Sequence, residues 1–361
     1  MKRVAVIGAG IFGLETAIQL AKEGYEVSLF ERKGDVLQEG TANSLLRLHQ
    51  GLHYPRDLET AIQSREGYVG FLDRFPDCVN VHFDNYYAIA RSKSKIGSKG
   101  LVDFSVNAGI VVERVDLSIL ANIGVDTDLL DSAWICTEGV IDIDLVREQY
   151  VKEILEFDVQ LILNAEVVSA DYCDSQWILR TGIKEYGPFQ FVVRASYGLD
   201  RISSNMKSIS NRLYEFHKTF ALEVKAPLSK FGLTIIDGDF LSVLPKGFDE
   251  SFLIYGPNPS VIARHIGSHY PIDWDDERNF DFVLHEKKLI ERFQYYFRDL
   301  SDIEVIRQLK TVRSIQPNMS KIDRRLSKAT LIEHNFIDIW SGKIDHCVGV
   351  AKEVSQIMAK S

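Results

Sequence analysis

The first residues of the chain pair a short apolar run with a helical repeat. The run "RVAVIG" (residues 3–8) is rich in β-branched side chains and predicts a buried parallel strand. In "LETAIQLAKEG" the apolar residues then recur at helical spacing up to Gly24, and "YEVSLFER" predicts a second strand. The pattern is therefore strand, glycine-containing turn, helix and strand.

Three glycines in this turn have the spacing of a dinucleotide-binding loop. Gly8 permits a tight turn, Gly10 lets the backbone approach a pyrophosphate, and Gly13 lets the helix pack closely on the strand. Glu31 follows the second strand, 18 residues after Gly13, where a carboxylate accepts hydrogen bonds from an adenosine ribose and repels a 2′-phosphate. NADP is thus disfavoured, whereas NAD and FAD both fit, and the alternative is a glycine turn without a ligand. The flanking candidates for the same ligand are Ile11, Phe12 and Arg32.

Two later regions have a different pattern. Apolar and polar residues alternate in "NVHFDNYYAIARS", "YEFHKTFALEVKA", "LTIIDGDFLSVLPKG" and "SFLIYGPNPS", which predicts half-buried strands of an antiparallel sheet. The stretch "DFVLHEKKLIERFQYYFRDL" predicts an amphipathic helix. We therefore expect a substrate domain of residues 82–135 and 205–315, inserted into a nucleotide-binding domain of residues 1–81, 136–204 and 316–361.

Composition narrows the class of protein. The 361 residues carry 51 acidic and 42 basic side chains, and this net charge of -9 disfavours binding to nucleic acid. The four cysteines form neither a C-x-x-C pair nor a metal-ligand spacing, which favours reduced thiols in a cytoplasm and predicts no metal site. No apolar run reaches the ~18 residues of a membrane span. A secretory signal peptide is the alternative interpretation of the amino-terminal apolar run. The glycines at nucleotide-loop spacing and the lack of a cleavage signal disfavour it.

The segment after the second strand carries a resemblance to a known family. The loop "GTANSLL" followed by "RLHQGLHYPR" resembles the D-amino-acid oxidase, glycine oxidase and 2-hydroxyglutarate oxidase group of FAD-dependent oxidoreductases. The resemblance implies FAD rather than NAD, noncovalent rather than covalent, and places the second segment beside the flavin. Along the FAD pyrophosphate it places Thr41, Asn43, Ser44 and Leu45.

Three further stretches continue this resemblance. Residues 142–181 are similar to the family's helix, strand and hairpin, with Val167 meeting the adenine through backbone atoms. "FQFVVRASYGLDR" is similar to the family's second glycine motif and implies flavin-nucleotide contacts by Ala195, Ser196 and Gly198, although Arg194 replaces the usual Asn or small residue. "FIDIWSGKIDHCVGVAKEVSQIM" resembles the closing strand, loop and helix, without the usual His-Gly pair. The implied fold class is α/β (α+β overall): a Rossmann-like FAD-binding domain with an interleaved antiparallel-sheet substrate domain.

The closing loop has its own physical logic. Gly342 and Lys343 precede a helix that begins near Ile344, whose free amides and positive dipole end favour the negative charge of a reduced flavin. Lys343 adds charge at the same place. The alternative is that Lys343 is a solvated surface lysine.

Two segments supply candidates for the substrate side. His49, His53 and Tyr54 lie in "RLHQGLHYPR" and are candidates to assist proton removal, while each histidine alternatively serves only as a structural hydrogen-bonding residue. The resemblance also makes His49 the position of a covalent flavin link, as the alternative to noncovalent binding. In "LKTVRSIQPNMSKIDRRL", which is similar to the family's R-P-x-x-P segment, Arg313 takes the place of the arginine that grips a substrate carboxylate. Ser314 replaces the usual Pro, and an internal ion pair is the alternative role for Arg313.

The resemblance implies an FAD-dependent oxidase or dehydrogenase acting on a C–H bond next to an amine or hydroxyl group. The expected substrate is a small molecule that bears a carboxylate or derives from a sugar or amino acid, since "RLHQGLHYPR" also resembles a subgroup encoded with polysaccharide and natural-product pathways. A flavin-dependent mutase or isomerase without net oxidation and a non-catalytic dinucleotide-binding module are the alternatives.

Overall fold

The structure, a computed structural model, describes residues 2–210, 212–298, 300, 302–319 and 323–361. Residues 320–322, within the Arg313 segment, lie outside the described residues. The described strands are β1 (Arg3–Ile7), β2 (Glu26–Phe30), β3 (Arg47–Leu48), β4 (Val79–Asn80), β5 (Asp84–Ala90), β6 (Glu113–Val115), β7 (Leu130–Ile135), β8 (Gly139–Ile141), β9 (Gln160–Ile162), β10 (Val167–Cys173), β11 (Gln176–Thr181), β12 (Glu185–Phe189), β13 (Phe191–Arg194), β14 (Tyr214–Lys225), β15 (Phe231–Ile236), β16 (Leu241–Pro245), β17 (Phe252–Tyr255), β18 (Val261–Gly267), β19 (Glu304–Ile315), β20 (Lys328–Glu333) and β21 (Phe336–Trp340). The described helices are α1 (Ile11–Lys22), α2 (Leu58–Arg74), α3 (Ser98–Ala108), α4 (Leu117–Asn122), α5 (Ile143–Glu156), α6 (Lys207–Ser210), α7 (Pro257–Ser260), α8 (Phe282–Tyr296) and α9 (Cys347–Ala359).

The glycine-containing turn lies at the centre of a six-stranded sheet with the order β20-β21-β13-β1-β2-β9. All neighbouring pairs are parallel except β20 with β21. The helices α1, α5 and α9 pack their apolar faces against this sheet, and the buried side chains of β1 and β2 fill the layer between them. Since the carboxyl ends of parallel strands meet at one edge, the turns after β1, β2 and β13 open on the same side.

A nine-stranded sheet forms the other large layer. Its path is β18-β14-β17-β16-β15-β5-β7-β6, with β19 paired to β14, and its pairs are antiparallel apart from β5 with β15. Every strand of this sheet falls within residues 82–135 or 205–315, and every strand of the six-stranded sheet falls within the remaining ranges. The division into two domains at those boundaries stays a prediction. Within the described ranges, no helix combines the length and apolar character needed to cross a membrane.

The predicted strands and the predicted amphipathic helix are present, but the insertion also contains helices. α3 and α4 lie between β5 and β7, where the sequence predicted alternating strands. Leu101, Phe104 and Ala108 of α3 are buried at helical spacing, and Gly109 ends the helix with a φ of 67°. The signal for this helix was present in the sequence, but the aromatic strands on either side obscured it.

The three glycines of the turn have distinct local surroundings. Gly8 has a φ of 100°, which favours glycine. A Cβ atom on Gly13 would lie only 1.8 Å from the carbonyl oxygen of Gly8, so helix α1 packs on the turn only without a side chain there. Gly10 has an ordinary extended backbone, and a Cβ atom on it would meet no atom nearer than Oγ1 of Thr41, at 3.6 Å. The fold therefore requires glycine at residues 8 and 13, whereas at residue 10 glycine leaves space beside the helix amino terminus.

We predict that alanine substitutions separate these roles. Gly13→Ala should lower the free energy of unfolding by roughly 1–3 kcal/mol, because the added methyl group overpacks a rigid turn. Gly10→Ala should change the free energy of unfolding of the dinucleotide-free protein by less than about 1 kcal/mol. It should nevertheless weaken dinucleotide binding at least about 10-fold, because a displaced phosphate loses charge-assisted hydrogen bonds from the helix amides. Urea denaturation and equilibrium dialysis measure the two effects; unchanged affinity in Gly10→Ala would contradict a pyrophosphate at this turn.

Candidate active site

A cavity of about 590 Å³ opens at the carboxyl edge of the six-stranded sheet and extends to the face of the nine-stranded sheet. All four candidates for the substrate side line it: His49, His53, Tyr54 and Arg313. Most candidates for cofactor binding also line it, namely Gly8, Gly10, Ile11, Phe12, Glu31, Arg32, Thr41, Asn43, Ser44, Leu45, Val167, Ala195, Ser196, Gly342, Lys343 and Ile344. Segments far apart in the sequence thus meet around one space.

Gly13 and Gly198 do not line the cavity. Gly13 is covered by the turn at Gly8, as the fold requires. Gly198 has a φ of 69°, and a Cβ atom on it would come within 2.6 Å of the Tyr214 ring. The geometry therefore gives Gly198 a role in chain packing beside the site, and its contact with the flavin nucleotide stays a prediction.

The Glu31 carboxylate lies on the cavity wall beside the first glycine-containing turn. It is buried, and its two oxygens accept hydrogen bonds from the amides of Ala9 (2.8 Å) and Lys33 (2.9 Å). The Arg32 guanidinium donates to the carbonyl oxygen of Leu199 (3.1 Å) and pairs with Glu39. These contacts tie the end of β2 to both glycine-containing turns, and both Glu31 and Arg32 line the cavity.

Arg194, which departs from the family pattern, is a buried structural residue. Its guanidinium bonds both carboxylate oxygens of Asp338 on the neighbouring strand β21, at 2.9 and 3.1 Å, and donates to the carbonyl oxygen of Ile209. Arg212 forms a second ion pair with the same carboxylate. Asp338 therefore compensates for the charge that Arg194 brings into the sheet.

The hydroxyl group of Ser327 holds the closing loop in place. The amides of Gly342 and Lys343 donate to Oγ of Ser327, at 2.7 and 3.4 Å, so these two amides are not free for a ligand as a simple helix start would suggest. Gly342 packs against the backbone of Arg325, where a Cβ atom would lie 1.8 Å from the carbonyl oxygen. A single helical turn begins at Ile344, as predicted, and continues into α9.

Lys343 lies inside the cavity wall. Its ammonium group is 4.9 Å from the centre of the Tyr54 ring. Burial lowers the pKa of Lys343 to about 7, although the nearby Asp345 carboxylate opposes that change. The alternative of a solvated surface lysine is therefore wrong.

His49 is buried and has no hydrogen-bond partner among the described residues at either ring nitrogen. Its ring packs edge-on against His53 and Tyr54, with centroid distances of 4.4 and 5.6 Å. Burial, with the nearby His53, lowers its pKa well below the usual value, so the ring is neutral at pH 7. A neutral ring with two unsatisfied nitrogens on a cavity wall fits contact with a polar ligand.

A buried network fixes the ring of His53. The Glu138 carboxylate pairs with Arg47 and accepts a hydrogen bond from the Tyr87 hydroxyl at 2.7 Å. The oxygen of Tyr87 lies 3.2 Å from Nδ1 of His53. Since the single Tyr87 proton points to Glu138, Nδ1 of His53 must donate to Tyr87, which leaves the Nε2 lone pair of His53 available.

A second network holds Arg313. Pairing of β14 with β19 sets His217 directly opposite Arg313, and Nη2 of Arg313 donates to Nδ1 of His217 at 3.0 Å. Nε2 of His217 in turn donates to Glu215 at 2.8 Å. Burial and the charge of Arg313 lower the pKa of His217 to about 4, so the ring is neutral at pH 7. No described carboxylate pairs with Arg313, and its Nε atom has no partner there, which contradicts the alternative of an internal ion pair.

Four residues of these networks were missed by sequence reasoning: Tyr87, Glu138, Glu215 and His217. The alternation in "YEFHKTF" places Glu215 and His217 on one strand face and was a usable signal for that pair. Tyr87 and Glu138 reach His53 only through the pairing of remote segments.

The residues present fit a bound dinucleotide. The open space over Gly10 suits a pyrophosphate, and the unsatisfied polar atoms on the cavity wall include those of His49, Tyr255, Arg313 and Ser341. Such groups are usually bonded when buried, so a polar ligand that meets them is the simplest partner.

Comparisons with known proteins agree with this geometry. Residues 3–337 match the protein family described as "DAO: FAD dependent oxidoreductase". The chain is 24% identical to the FAD-dependent monooxygenase kojA of Aspergillus flavus over 98% of this chain and 84% of that protein. Among solved structures it is similar to glycine oxidase from Geobacillus kaustophilus (TM-score 0.74, 13% identity, 100% and 96% of the two chains). It is also similar to the FAD-bound L-alpha-glycerophosphate oxidase from Mycoplasma pneumoniae (TM-score 0.77, 13% identity, 99% and 95%). Taken with the glycine turn and the cavity, these matches establish that the chain belongs to the DAO family of FAD-dependent oxidoreductases and that FAD is its cofactor.

Proposed function

We propose that this protein oxidises a C–H bond next to an amine or hydroxyl group in a small substrate that bears a carboxylate. The observation that carries the proposal is the Arg313 guanidinium, which lies on the cavity wall without a described carboxylate partner. Its orientation is fixed by neutral His217, and His217 is fixed by Glu215. An oriented, uncompensated guanidinium is suited to bind a planar carboxylate through two parallel hydrogen bonds.

The reaction removes a hydride from carbon and a proton from the adjacent nitrogen or oxygen, giving an imine or a ketone. Bound FAD supplies the acceptor for the hydride. The protein's part is to hold the carboxylate at Arg313, so that the α-hydrogen has one orientation, and to accept the proton. Noncovalent binding of FAD stays a prediction, with a covalent link through His49 as its alternative.

We assign proton acceptance to His53. Burial, with the charges of Arg47 and Lys343, lowers the pKa of His53 well below its usual value, so an imidazolium ion is unfavourable there. The network avoids that ion. When Nε2 of His53 takes up a proton, the Nδ1 proton passes to the oxygen of Tyr87, and the Tyr87 hydroxyl proton passes to Glu138. His53 then remains neutral throughout. Burial raises the pKa of Tyr54, so its hydroxyl serves as a hydrogen-bond donor and not as the base.

We predict that Arg313→Lys lowers the apparent second-order rate of flavin reduction about 10- to 100-fold, because lysine cannot form the paired hydrogen bonds to a carboxylate. The measurement is anaerobic bleaching of the flavin by a panel of amino acids and hydroxy acids. Arg307→Lys is the matched control, since Arg307 is on the same strand but pairs with Glu223. Equal rates for Arg313→Lys and the wild type would exclude the carboxylate clamp.

We predict that Tyr87→Phe slows flavin reduction roughly 100-fold at saturating substrate, because the route from His53 to Glu138 is interrupted. Substrate affinity should change little, while the pH dependence of the reduction rate should shift. Stopped-flow measurement between pH 6 and pH 9 tests both. Tyr86→Phe is the control, because the Tyr86 hydroxyl bonds Asp84 and packs in a different cluster. A uniform loss of rate without a change in pH dependence would reduce Tyr87 to a structural role.

A second candidate reaction is oxygen insertion, and the similarity to the relative named an FAD-dependent monooxygenase favours it. The two reactions differ in what reduces the flavin. We expect the amine or hydroxy acid alone to bleach the flavin anaerobically, with hydrogen peroxide or another reduced acceptor formed afterwards. Reduction by NADH or NADPH alone, followed by transfer of an atom of isotope-labelled oxygen into the product, would instead support a monooxygenase.

A further inference from the structure

The wall of the cavity that carries Arg313 holds more positive charge than one substrate carboxylate needs. Arg313, Arg325 and Lys343 all line the cavity and are partly buried, and among the described residues none of the three has a carboxylate oxygen within ion-pair distance, although the Asp345 carboxylate acts on Lys343 from farther away. Among the other cations on the wall, Arg47 pairs with Glu138 and Arg56 pairs with both Asp237 and Asp323, whereas Lys95 and Arg264 are exposed to solvent. The partly buried cations of the wall that lack an ion pair among the described residues are therefore Arg313, Arg325 and Lys343.

Arg325 is held in place by backbone contacts on both sides. Its amide donates to Oγ1 of Thr60 at 2.9 Å, and its carbonyl region abuts Gly342. Its Nη1 atom donates to the carbonyl oxygen of Arg324 at 2.7 Å, which leaves the rest of the guanidinium directed to the cavity. The side chain thus starts from a rigid anchor and not from a loose surface loop.

Arg325 and Arg313 face the same small region. Burial raises the pKa of Tyr54, and the charges of Arg325 and Arg313 both oppose that rise. The same two charges act on Tyr197, whose pKa is also raised by burial. Two like charges around two shared phenol rings repel each other, and a bound anion between or beside them would reduce that repulsion further than the Asp323 and Asp345 carboxylates, which also act on Tyr54.

The contacts of Arg313 and Lys343 are separate from those of Arg325. Arg313 is oriented by His217 for one carboxylate, and Lys343 packs on the Tyr54 ring at the closing loop. The Asp323 carboxylate acts on Arg325 and opposes the fall of its pKa, but this carboxylate is bonded by Nε of Arg56 at 3.0 Å. Arg325 therefore has no carboxylate of its own within ion-pair distance among the described residues.

We infer that Arg325 forms a second anion subsite and that the preferred substrate carries two anionic oxygen groups, one held by Arg313 and the other by Arg325. The inference rests on the proposed function, since it takes the Arg313 carboxylate as the first anion. It narrows the substrate class from monocarboxylic amino or hydroxy acids to dicarboxylic acids or carboxylic acids that also bear a phosphate or phosphonate group.

Binding of inert acids to the FAD-loaded protein tests this inference without turnover. The probes are glutarate, 3-phosphonopropionate and butyrate, measured by calorimetry at constant ionic strength because screening alone changes the attraction of a divalent anion. The wild type should bind at least one of the two dianions about 10-fold or more tightly than butyrate, as one added charge-assisted contact provides. Whichever dianion binds more tightly identifies the second group as carboxylate or phosphonate.

Variants assign the preference to Arg325. Arg325→Gln should abolish the preference for dianions and leave butyrate binding within about 2-fold, while Arg325→Lys should retain part of the preference. Arg324→Gln is the matched control, because it removes the same charge from the adjacent residue, whose guanidinium pairs with Glu59 and Asp57. This control should keep the full preference.

Two outcomes would overturn the inference. Equal binding of butyrate and both dianions by the wild type excludes a second subsite. Equal weakening of all three probes in Arg325→Gln means that both arginines hold one carboxylate. Failure of the proposed function is separate: a protein that prefers dianions but whose flavin no dicarboxylic amino or hydroxy acid reduces retains the subsite and loses the assigned reaction.

Discussion

The removal of charge from water is the constraint around which this structure is arranged. An ion buried alone costs several kcal/mol, so buried charges are normally paired and hydrogen-bonded. Arg194 meets this requirement through Asp338 inside the six-stranded sheet, and Arg47 meets it through Glu138 beside the cavity. Arg313 does not, because its oriented partner is the neutral ring of His217. The difference separates charges that are compensated within the fold from the Arg313 charge, which has no counter-ion among the described residues.

The parts of the site that sequence reasoning located are those fixed by local chain geometry. At Gly8 and Gly13 a positive φ and a close backbone approach restrict the residue type, so the spacing of the glycines carries the information. The acidic residue after β2 and the turn before α9 are local in the same sense. The resemblance to known flavoproteins located three further segments, at residues 41–45, 195–198 and 342–344. All the candidates named in these segments line the cavity except Gly198.

The networks that orient the substrate side could not be located in this way. His217 and Arg313 are 96 residues apart, and only the register of β14 against β19 makes them neighbours. His53, Tyr87 and Glu138 come from a loop, a strand of the large sheet and the turn before β8. A shift of one residue in the pairing of β14 with β19 would turn one of the two side chains to the opposite face, so this contact depends on the register of the sheet and leaves little trace in any short stretch of sequence.

This distribution explains why family membership fixes the cofactor more firmly than the substrate. The candidates for FAD binding lie mostly on turns at the edge of the six-stranded sheet, whose geometry follows from a few glycines and one strand order. The residues that face the substrate side lie on β14, β19 and the loops beside them, where one substitution on a strand changes the charge of the cavity without disturbing the turns. Relatives with 13% identity can therefore share the fold while their cavities carry different charges. In this chain the charges that we propose for substrate recognition are on Arg313 and Arg325, and both lie on the cavity wall outside the turns that the glycines determine.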